Sequence, residues 1–420
     1  MFAVSKLVIE GCHRLEGEVT VHGAKNSALP LLTATMLCHG KSVLHNCPAL
    51  SDVDASVRIL RYLGCSVLRE GDSLTVDAAD VCRYDIPDSL MREMRSSIVF
   101  LGAIASRMGR ARLSLPGGCE LGPRPIDLHL KALRQMGLVI REDHGFLDCE
   151  VPTRLKGARI SLSFPSVGAT ENAMLAAVLA EGATVITNAA REPEIVDLAD
   201  FLNACGGDVR GAGEGTIVVE GVPRLNGTEH RVIPDRIAAA TYMTAAAITG
   251  GNILVRAVEP SHLGQVIPAF EEAGCELFYE KDLLRIQAPK QLKPVKIVRT
   301  MPYPGFPTDA QAPVMAMTTL AQGTSVFVEN IFESRYKHVG ELLRLGANIK
   351  VEGRVAVVEG VKKLYGASVE APDLRGGAAL LVAGLAAEGE TELSGLRHLD
   401  RGYESIEQSL TAVGAVVKRV

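Results

Sequence analysis

The chain contains 420 residues, of which 47% are hydrophobic and 22% charged, and its formal net charge at pH 7 is −5. This composition is typical of a globular protein long enough to form two domains, and the negative charge argues against a general nucleic-acid-binding protein, which would be basic. The nine cysteines show no CxxC spacing and the ten histidines form no paired-ligand motif, so we expect neither a disulfide framework nor a catalytic metal.

The helices and strands predicted in the first part of the chain, up to residue 77, form one βαβαββ unit. Residues 26–37 have a polar start and an apolar body and predict a helix, which we expect Gly40 to end because glycine readily adopts the left-handed C-cap conformation. Residues 42–45 predict a short strand, and residues 52–63 predict a second helix with acidic residues in its first turn. The alternating residues 73–77 predict the last strand of the unit.

The same unit recurs six times, and a pair of glycines marks each copy. The interval between the two glycines is longest in the second copy, where residues 115–125 are rich in Gly and Pro and include a Cys and an Arg. A repeat supplies a scaffold, so this break in the repeat is where we expect function. The first glycines are Gly40, Gly109, Gly182, Gly250, Gly323 and Gly389, and the second glycines are Gly64, Gly137, Gly206, Gly274, Gly346 and Gly414.

Units that mix helices with strands predict an α/β protein, because no single unit can bury both of its faces alone. The six units divide into two groups of three at the polar, turn-rich residues 223–229. The first twenty residues predict strands without a helix, so we expect them to complete the C-terminal domain. We therefore predict one domain of residues 1–21 and 230–420 and a second of residues 22–229, with a ligand site in the cleft between them.

One slot of the repeat, at the predicted start of each first helix, carries unusual charges. Helix N-termini present unpaired N–H groups and the positive end of the helix dipole, so arginine is electrostatically unfavourable there. The arginines in this slot suggest a bound anion, although each could instead be solvated or paired with a nearby carboxylate. The slot holds Asn26, Arg95, Gly168, Arg236, Asp309 and Arg375.

Cations accumulate in equivalent or neighbouring slots of this acidic chain. Such a cluster argues for a ligand with several negative charges, such as phosphate plus carboxylate, because both groups fit the planar fork of arginine. The chain contains no GxxxxGK[ST] loop, so the common nucleoside-triphosphate site is not expected. The cations are Lys25, Arg95, Arg124, Arg335, Arg375 and Arg401.

Three further side chains have both a functional and a plain interpretation. Cys119, in the break of the repeat, suits a nucleophile or proton donor, or is an incidental cysteine like the other eight. Asp309 either caps its helix or acts as a general base among the cations. Asp373, close to Arg375, either caps that helix or forms a clamp at the cleft.

Taken together, eight motifs resemble one family along essentially the whole chain. The motifs are GAKN at 23–26, LPGGC at 115–119, RPID at 124–127, SVGAT at 166–170, AAREPEIVD at 189–197, FPTD at 306–309, DLR at 373–375 and DRGY at 400–403. Through them the chain resembles the UDP-N-acetylglucosamine enolpyruvyl transferases. The resemblance implies a two-domain inside-out α/β barrel with three repeat units in each domain.

The resemblance also implies a reaction. The enolpyruvyl group of phosphoenolpyruvate would pass to the 3-hydroxyl of UDP-N-acetylglucosamine with release of phosphate, by addition and elimination, in the first committed step of peptidoglycan synthesis. Cys119 would protonate the methylene carbon, form a covalent adduct and react with the antibiotic fosfomycin, while Asp309 would take the proton from the sugar hydroxyl. The resemblance implies no cofactor, no nucleic-acid partner and no insertion into a membrane.

Other residues in the matching motifs would bind the two substrates. Lys25, Arg124 and Arg401 would hold the phosphate and carboxylate, with Lys25 and Arg401 also counted as catalytic. Arg95, Arg335, Asp373 and Arg375 would line the same site. The UDP-sugar would contact Asn26, Pro125, Ile126, Asp127, Leu128, Ser166, Val167, Gly168, Asp309 and Ile331.

Two alternatives remain open. The sister enzyme that acts on shikimate 3-phosphate would suit the repeat and the cations, but it does not resemble the LPGGC loop. A catalytically silent paralogue that binds UDP-sugars would have no need of Cys119, Lys25 and Asp309 together. The N-terminus has no signal-peptide layout and the apolar residues 378–387 are too short to span a bilayer, so we expect a buried helix there and a cytoplasmic protein.

Overall fold

The computed structural model describes residues 5–115 and 126–420 and has an α/β fold in two compact units. One unit extends from Gly23 to Ile233, and the other combines the residues up to His22 with Pro234–Val420. The first of these ends a few residues later than the predicted boundary after residue 229. The reason is a strand at Glu229–Arg231, which pairs in parallel with the strand Lys41–His45 and so keeps these residues with the Gly23–Ile233 unit.

Short strands of similar length make up the sheets of both units. They are β1 (Leu7–Glu10), β2 (Glu16–Thr20), β3 (Cys38–His39), β4 (Lys41–His45), β5 (Ser66–Glu70), β6 (Ser73–Asp77), β7 (Asp85–Ile86), β8 (Arg110–Ser114), β9 (Val139–Asp143), β10 (Phe146–Glu150), β11 (Arg159–Ser161), β12 (Ala183–Thr187), β13 (Asp208–Arg210), β14 (Thr216–Glu220), β15 (Leu225–Asn226), β16 (Glu229–Arg231), β17 (Asn252–Arg256), β18 (Glu276–Glu280), β19 (Leu283–Gln287), β20 (Ile297–Arg299), β21 (Thr324–Val328), β22 (Asn348–Glu352), β23 (Val355–Glu359), β24 (Ser368–Glu370), β25 (Glu390–Ser394) and β26 (Val416–Arg419).

The helices alternate with these strands along the chain. They are α1 (Lys25–Thr35), α2 (Ser51–Leu63), α3 (Asp88–Met91), α4 (Phe100–Met108), α5 (Asp127–Gln135), α6 (Val167–Ala177), α7 (Pro193–Ala204), α8 (Arg236–Ile248), α9 (Val266–Glu272), α10 (Thr308–Thr318), α11 (Val339–Arg344), α12 (Leu374–Ala386), α13 (Leu396–Leu399) and α14 (Ile406–Ala412), with 3₁₀ helices at Arg95–Val99 and Pro260–Leu263.

The described residues form six four-stranded sheets with one shared plan, three in each unit. In every sheet one edge strand pairs in parallel with its neighbour, and the other two pairs of neighbouring strands are antiparallel. The orders are β16-β4-β6-β5, β7-β8-β10-β9 and β11-β12-β14-β13 in the Gly23–Ile233 unit, and β2-β17-β19-β18, β20-β21-β23-β22 and β24-β25-β1-β26 in the Pro234–Val420 unit.

These sheets stay separate, and no closed barrel appears among the described residues. The inside-out barrel therefore remains a prediction. Strands β1 and β2 both pair with strands of the C-terminal half, which explains why the first residues group with Pro234–Val420.

Each unit has its own hydrophobic core, and the first helices of the repeats lie inside it. Helix α8 is buried along its whole length, and α12 is buried from Arg375 to Leu385. Helix α10 packs against both of them. A helix that is apolar on all sides belongs in the interior of a protein, so these three helices form the centre of the Pro234–Val420 unit. The predicted buried helix at residues 378–387 is part of α12.

The repeat glycines all have positive φ angles, between +66° and +132°. Residues with a side chain rarely adopt this conformation, which gives a physical reason for the recurrence of glycine. The expectation that Gly40 ends the first helix is wrong, because α1 already ends at Thr35. The short strand β3 intervenes, since Cys38 and His39 pair with β15. Gly64 and Gly109 do end α2 and α4 in the left-handed conformation.

No helix in residues 5–115 and 126–420 combines the length and the apolar character needed to cross a membrane.

Candidate active site

The structure places every residue of the predicted helix-start slot at the beginning of a helix. Because backbone N–H groups are unpaired at these ends, side chains and anions compete for them. Arg95 begins the 3₁₀ helix that leads into α4, and Arg236 begins α8. The second residues of α1, α6, α10 and α12 are Asn26, Gly168, Asp309 and Arg375.

In the Pro234–Val420 unit the Asp309 carboxylate joins two buried guanidinium groups. Its Oδ1 accepts a hydrogen bond from Arg335 Nη2 at 2.9 Å, and its Oδ2 accepts one from Arg375 Nη2 at 3.1 Å. Both arginine side chains are 2% exposed, whereas that of Asp309 is 27% exposed. The N-cap position of α10 is Pro307, and Asp309 lies in the first turn of the helix. Guanidinium groups outside the helix take up both oxygens of its carboxylate, and the capping and general-base interpretations both remain predictions.

Arg375 continues this network into the core. Its Nη1 donates to Tyr403 Oη at 3.1 Å, and the Tyr403 hydroxyl lies 2.8 Å from Thr241 Oγ1. Thr241 itself donates to the Ile237 carbonyl at 2.9 Å, which leaves Tyr403 to donate to Thr241. Burial alone would lower the pKa of Arg375, but the Asp309 carboxylate and Tyr403 raise it overall. The guanidinium thus keeps its positive charge although it is buried.

Asp373 is the N-cap of α12, as one of its two interpretations predicted. Its Oδ1 accepts hydrogen bonds from the backbone N–H groups of Arg375 and Gly376, each at 3.0 Å. The same oxygen lies 4.0 Å from Arg335 Nη1. Asp373 therefore fixes the start of the helix that carries Arg375, close to the second guanidinium. A role as a substrate clamp remains a prediction.

Replacing Asp373 with alanine is expected to lower the free energy of unfolding by about 1 kcal/mol, because two N–H groups lose their acceptor. Asparagine caps helices as well as aspartate does, so Asp373→Asn is the matched control and should keep most of the stability. Urea denaturation of both variants measures the difference. An equal loss in both would mean that the charge opposite Arg335, and not the cap, stabilises this end of α12.

Glu329, which the sequence analysis did not single out, holds two parts of this site together. Its buried carboxylate accepts from Thr308 Oγ1 at 3.0 Å and from the backbone N–H groups of Ile331 and Phe332 at 2.8 and 3.0 Å. Arg335 Nη2 also donates to the Thr308 carbonyl, at 2.9 Å. The start of α10 and the predicted contact residue Ile331 are thus fixed by one acid. The sequence feature that could have pointed to Glu329 is its position immediately after strand β21.

In the Gly23–Ile233 unit Lys25 is the first residue of α1 and has a buried partner. Its Nζ lies 3.4 Å from Asp52 Oδ2, and the two side chains are 12% and 3% exposed. Asp52 is in α2, so the second helix of the copy orients a side chain on the first. In the sequence, Asp52 stands out only as one of the acidic residues in the first turn of a predicted helix.

His129, which was not singled out in the sequence, packs beside the predicted residue Gly168 and interacts electrostatically with Arg95 and Asp127. A Cβ atom at Gly168 would lie 3.0 Å from His129 Cε1, so a larger residue there would require the ring to move by a few tenths of an ångström. Asn172 Nδ2 donates to His129 Nδ1 at 3.1 Å. Burial is the main reason that the pKa of His129 is lowered to about 4; Asp127 opposes this shift and Arg95 contributes to it. His129 is therefore neutral at pH 7.

The other predicted binding residues lie at helix starts or are half-buried. Ser166 caps α6 by accepting from the Ala169 N–H at 3.4 Å. Its neighbour Val167, the residues Ile126 and Leu128 at the start of α5, and Arg401 are half-buried. Cys119, Arg124 and Pro125 lie outside the described residues. Within the described ranges, no group of three or more His, Cys, Asp or Glu side chains is arranged to hold a metal ion.

Comparisons with known proteins identify relatives over the full chain. The family model described as EPSP synthase (3-phosphoshikimate 1-carboxyvinyltransferase) matches residues 9–410. UDP-N-acetylglucosamine 1-carboxyvinyltransferase 2 of Caldanaerobacter subterraneus subsp. tengcongensis is 53% identical over 99% of this chain and 100% of its own length. UDP-N-acetylglucosamine 1-carboxyvinyltransferase 1 of Symbiobacterium thermophilum is 50% identical over 99% of this chain and 95% of its own length.

Solved structures share the fold. The enolpyruvyl transferase NikO from Streptomyces tendae superposes with a TM-score of 0.90 at 25% identity, covering 99% of each chain. EPSP synthase from Acinetobacter baumannii gives a TM-score of 0.78 at 20% identity, covering 100% of each chain. The relatives at 50–53% identity and the family model therefore show that the chain belongs to the UDP-N-acetylglucosamine 1-carboxyvinyltransferase family, within the wider group of enolpyruvyl transferases.

Proposed function

We propose that the chain transfers the enolpyruvyl group of phosphoenolpyruvate to the 3-hydroxyl of UDP-N-acetylglucosamine and releases phosphate, as the first committed step of peptidoglycan synthesis. The names of relatives at 50–53% identity support UDP-N-acetylglucosamine as the acceptor and the carboxyvinyl group as the group transferred. The observation that carries the chemistry is the Asp309 carboxylate, held by Arg335 and Arg375 and still 27% exposed. An oriented and accessible carboxylate suits a group that removes a proton from a bound hydroxyl.

The cations account for the binding of an anionic substrate. Lys25, Arg124 and Arg401 bind the phosphate and carboxylate of phosphoenolpyruvate in this proposal. The guanidinium groups of Arg335 and Arg375 are already fixed by hydrogen bonds, so they lose little freedom when a substrate binds. Preorganised positive charge of this kind stabilises negative charge that develops during the addition step.

Cys119 and Asp309 divide the proton transfers. Asp309 takes the proton of the sugar 3-hydroxyl, whose oxygen attacks the central carbon of phosphoenolpyruvate, while the Cys119 thiol gives a proton to the methylene carbon. Loss of phosphate together with one proton of the new methyl group, which returns to the Cys119 thiolate, then restores the double bond. Cys119 is also the site where fosfomycin attaches and where phosphoenolpyruvate forms a covalent adduct.

The UDP-sugar is assigned to residues on α5 and α6 of the Gly23–Ile233 unit together with Asn26, Pro125 and Ile331. Neutral His129 supports this assignment, because its ring lies beside Gly168 at the start of α6, and the N-terminus of a helix favours a bound anion. Arg95 supplies a positive charge near the same ring. We further propose that the three sheets and buried helices of each unit form the inside-out barrel, and that the protein works in the cytoplasm.

Phosphate release from phosphoenolpyruvate tests the reaction and the acceptor. Release is expected only when UDP-N-acetylglucosamine is present, and fosfomycin is expected to stop it. The control acceptor is shikimate 3-phosphate, because the matching family model is described by the enzyme that uses it. Release with shikimate 3-phosphate alone would replace the proposed acceptor. Tight binding of the UDP-sugar without any release would indicate a silent paralogue.

A further inference from the structure

A buried carboxylate of the Gly23–Ile233 unit, outside the proposed site, joins three segments of the chain. Asp197 lies in α7 and is 4% exposed. Its Oδ1 accepts a hydrogen bond at 2.7 Å from Nε2 of His230, which lies in strand β16. Its Oδ2 accepts from the Ser27 hydroxyl in α1 and from the Ile233 N–H at 3.4 Å. One carboxylate thus receives donors from α1 and from two residues of the 230–233 segment.

The 230–233 segment is itself tied to the beginning of α1. The Ala24 N–H donates to the Ile233 carbonyl at 2.7 Å, and Asn46 Nδ2 donates to the Val232 carbonyl at 2.9 Å. The His230 ring packs edge-on against Phe201, with the ring centroids 5.6 Å apart. The donors of Asp197 therefore sit on elements that have little freedom to move.

Ser27 connects this junction to the side chains that bind substrate in the proposed function. It belongs to the first turn of α1, which begins with Lys25 and Asn26, and it is fully buried. A buried carboxylate that loses one donor is costly, so the hydroxyl holds the turn firmly. The second anchor of Lys25, Asp52, acts on the amine itself at 3.4 Å, whereas Ser27 acts on the backbone that carries it.

We propose that Asp197 and His230, acting through Ser27, are positioning residues that set the first turn of α1 and thereby orient Lys25 and Asn26. This inference rests on the proposed function. Neither residue touches a substrate in the proposal. Their effect passes through the helix backbone, where displacement of a binding group by about 1 Å can cost as much as one-hundredfold in rate.

Removal of the Ser27 hydroxyl tests the inference. In Ser27→Ala and in His230→Ala, kcat/KM is expected to fall about ten- to one-hundredfold, while His230→Gln, which keeps a donor, recovers part of it. Thr35→Val is the matched control, because Thr35 carries a buried hydroxyl in the same helix, which donates to the Leu32 carbonyl of that helix at 2.6 Å. It should leave kcat/KM unchanged. The double variant Ser27→Ala/His230→Ala should lose little more than the worse single variant, since both act through Asp197.

A second readout keeps the inference separate from the reaction. The rate at which acetic anhydride modifies Lys25, followed by peptide mass spectrometry, should change in Ser27→Ala and His230→Ala but not in Thr35→Val. Absence of turnover in the unmodified protein would contradict the proposed function and leave this labelling test intact. Unchanged Lys25 labelling, or a loss of thermal stability with kcat/KM preserved in the folded protein, would overturn the positioning role.

Discussion

Replacing Cys119 with alanine is expected to abolish covalent labelling by fosfomycin and to lower turnover by about 10²- to 10⁴-fold, the contribution typical of a positioned acid or base. The thiol is both the proposed proton donor and the group to which fosfomycin is proposed to attach. The methyl group of alanine can perform neither function. Intact mass after incubation with fosfomycin measures the labelling, and phosphate release measures turnover. The fold should survive, because the substitution is small.

Two variants control this result. Cys119→Asp should retain part of the activity, since a carboxylic acid still donates a proton, and it should resist fosfomycin because the thiol nucleophile is gone. Cys82→Ala removes a free cysteine that is exposed in the structure and should change neither measurement. Full activity in Cys119→Ala would reduce Cys119 to an ordinary loop residue, and labelling that persists in it would assign fosfomycin to a different side chain.

The sequence predicted those features of the fold that depend on local patterns. The start of α10 and the strand β6 follow from polar starts and from alternation, which neighbouring residues determine. The positive φ angles of the repeat glycines are likewise local properties. Gly40 failed as a helix end because β3 pairs with β15, residues distant in the chain. The domain boundary shifted for the same reason, since β16 pairs with β4.

The site was predicted less completely, because its geometry joins residues far apart in sequence. The slot at the helix starts was predicted correctly, yet the partners of the Asp309 carboxylate were not, since Arg335 lies 26 residues further along the same copy of the repeat and Arg375 belongs to the next copy. Glu329 and His129 were missed entirely. Each acts through a partner on another segment, such as Thr308 or Gly168, and no local pattern encodes such a pair.

Replacing Asp309 with alanine is expected to lower kcat by about 10²- to 10⁴-fold if the carboxylate is the general base, with binding of the UDP-sugar largely kept. The same change leaves Arg335 and Arg375 without their shared acceptor, although both are 2% exposed. A buried polar group that loses its partner costs about 1–3 kcal/mol, so some loss of stability accompanies the loss of rate. Steady-state kinetics, isothermal titration with the UDP-sugar and urea denaturation measure the three effects separately.

Asp309→Asn separates the two causes. The amide has nearly the same shape and still offers one oxygen to a guanidinium, but it cannot take up the proton of the sugar hydroxyl. If Asp309 is the base, Asp309→Asn should be as slow as Asp309→Ala while regaining part of its stability. If the carboxylate only orients Arg335 and Arg375, the rate should recover together with the stability. A fast Asp309→Asn variant would therefore transfer the role of base to another group and leave Asp309 as the anchor of the two guanidinium groups.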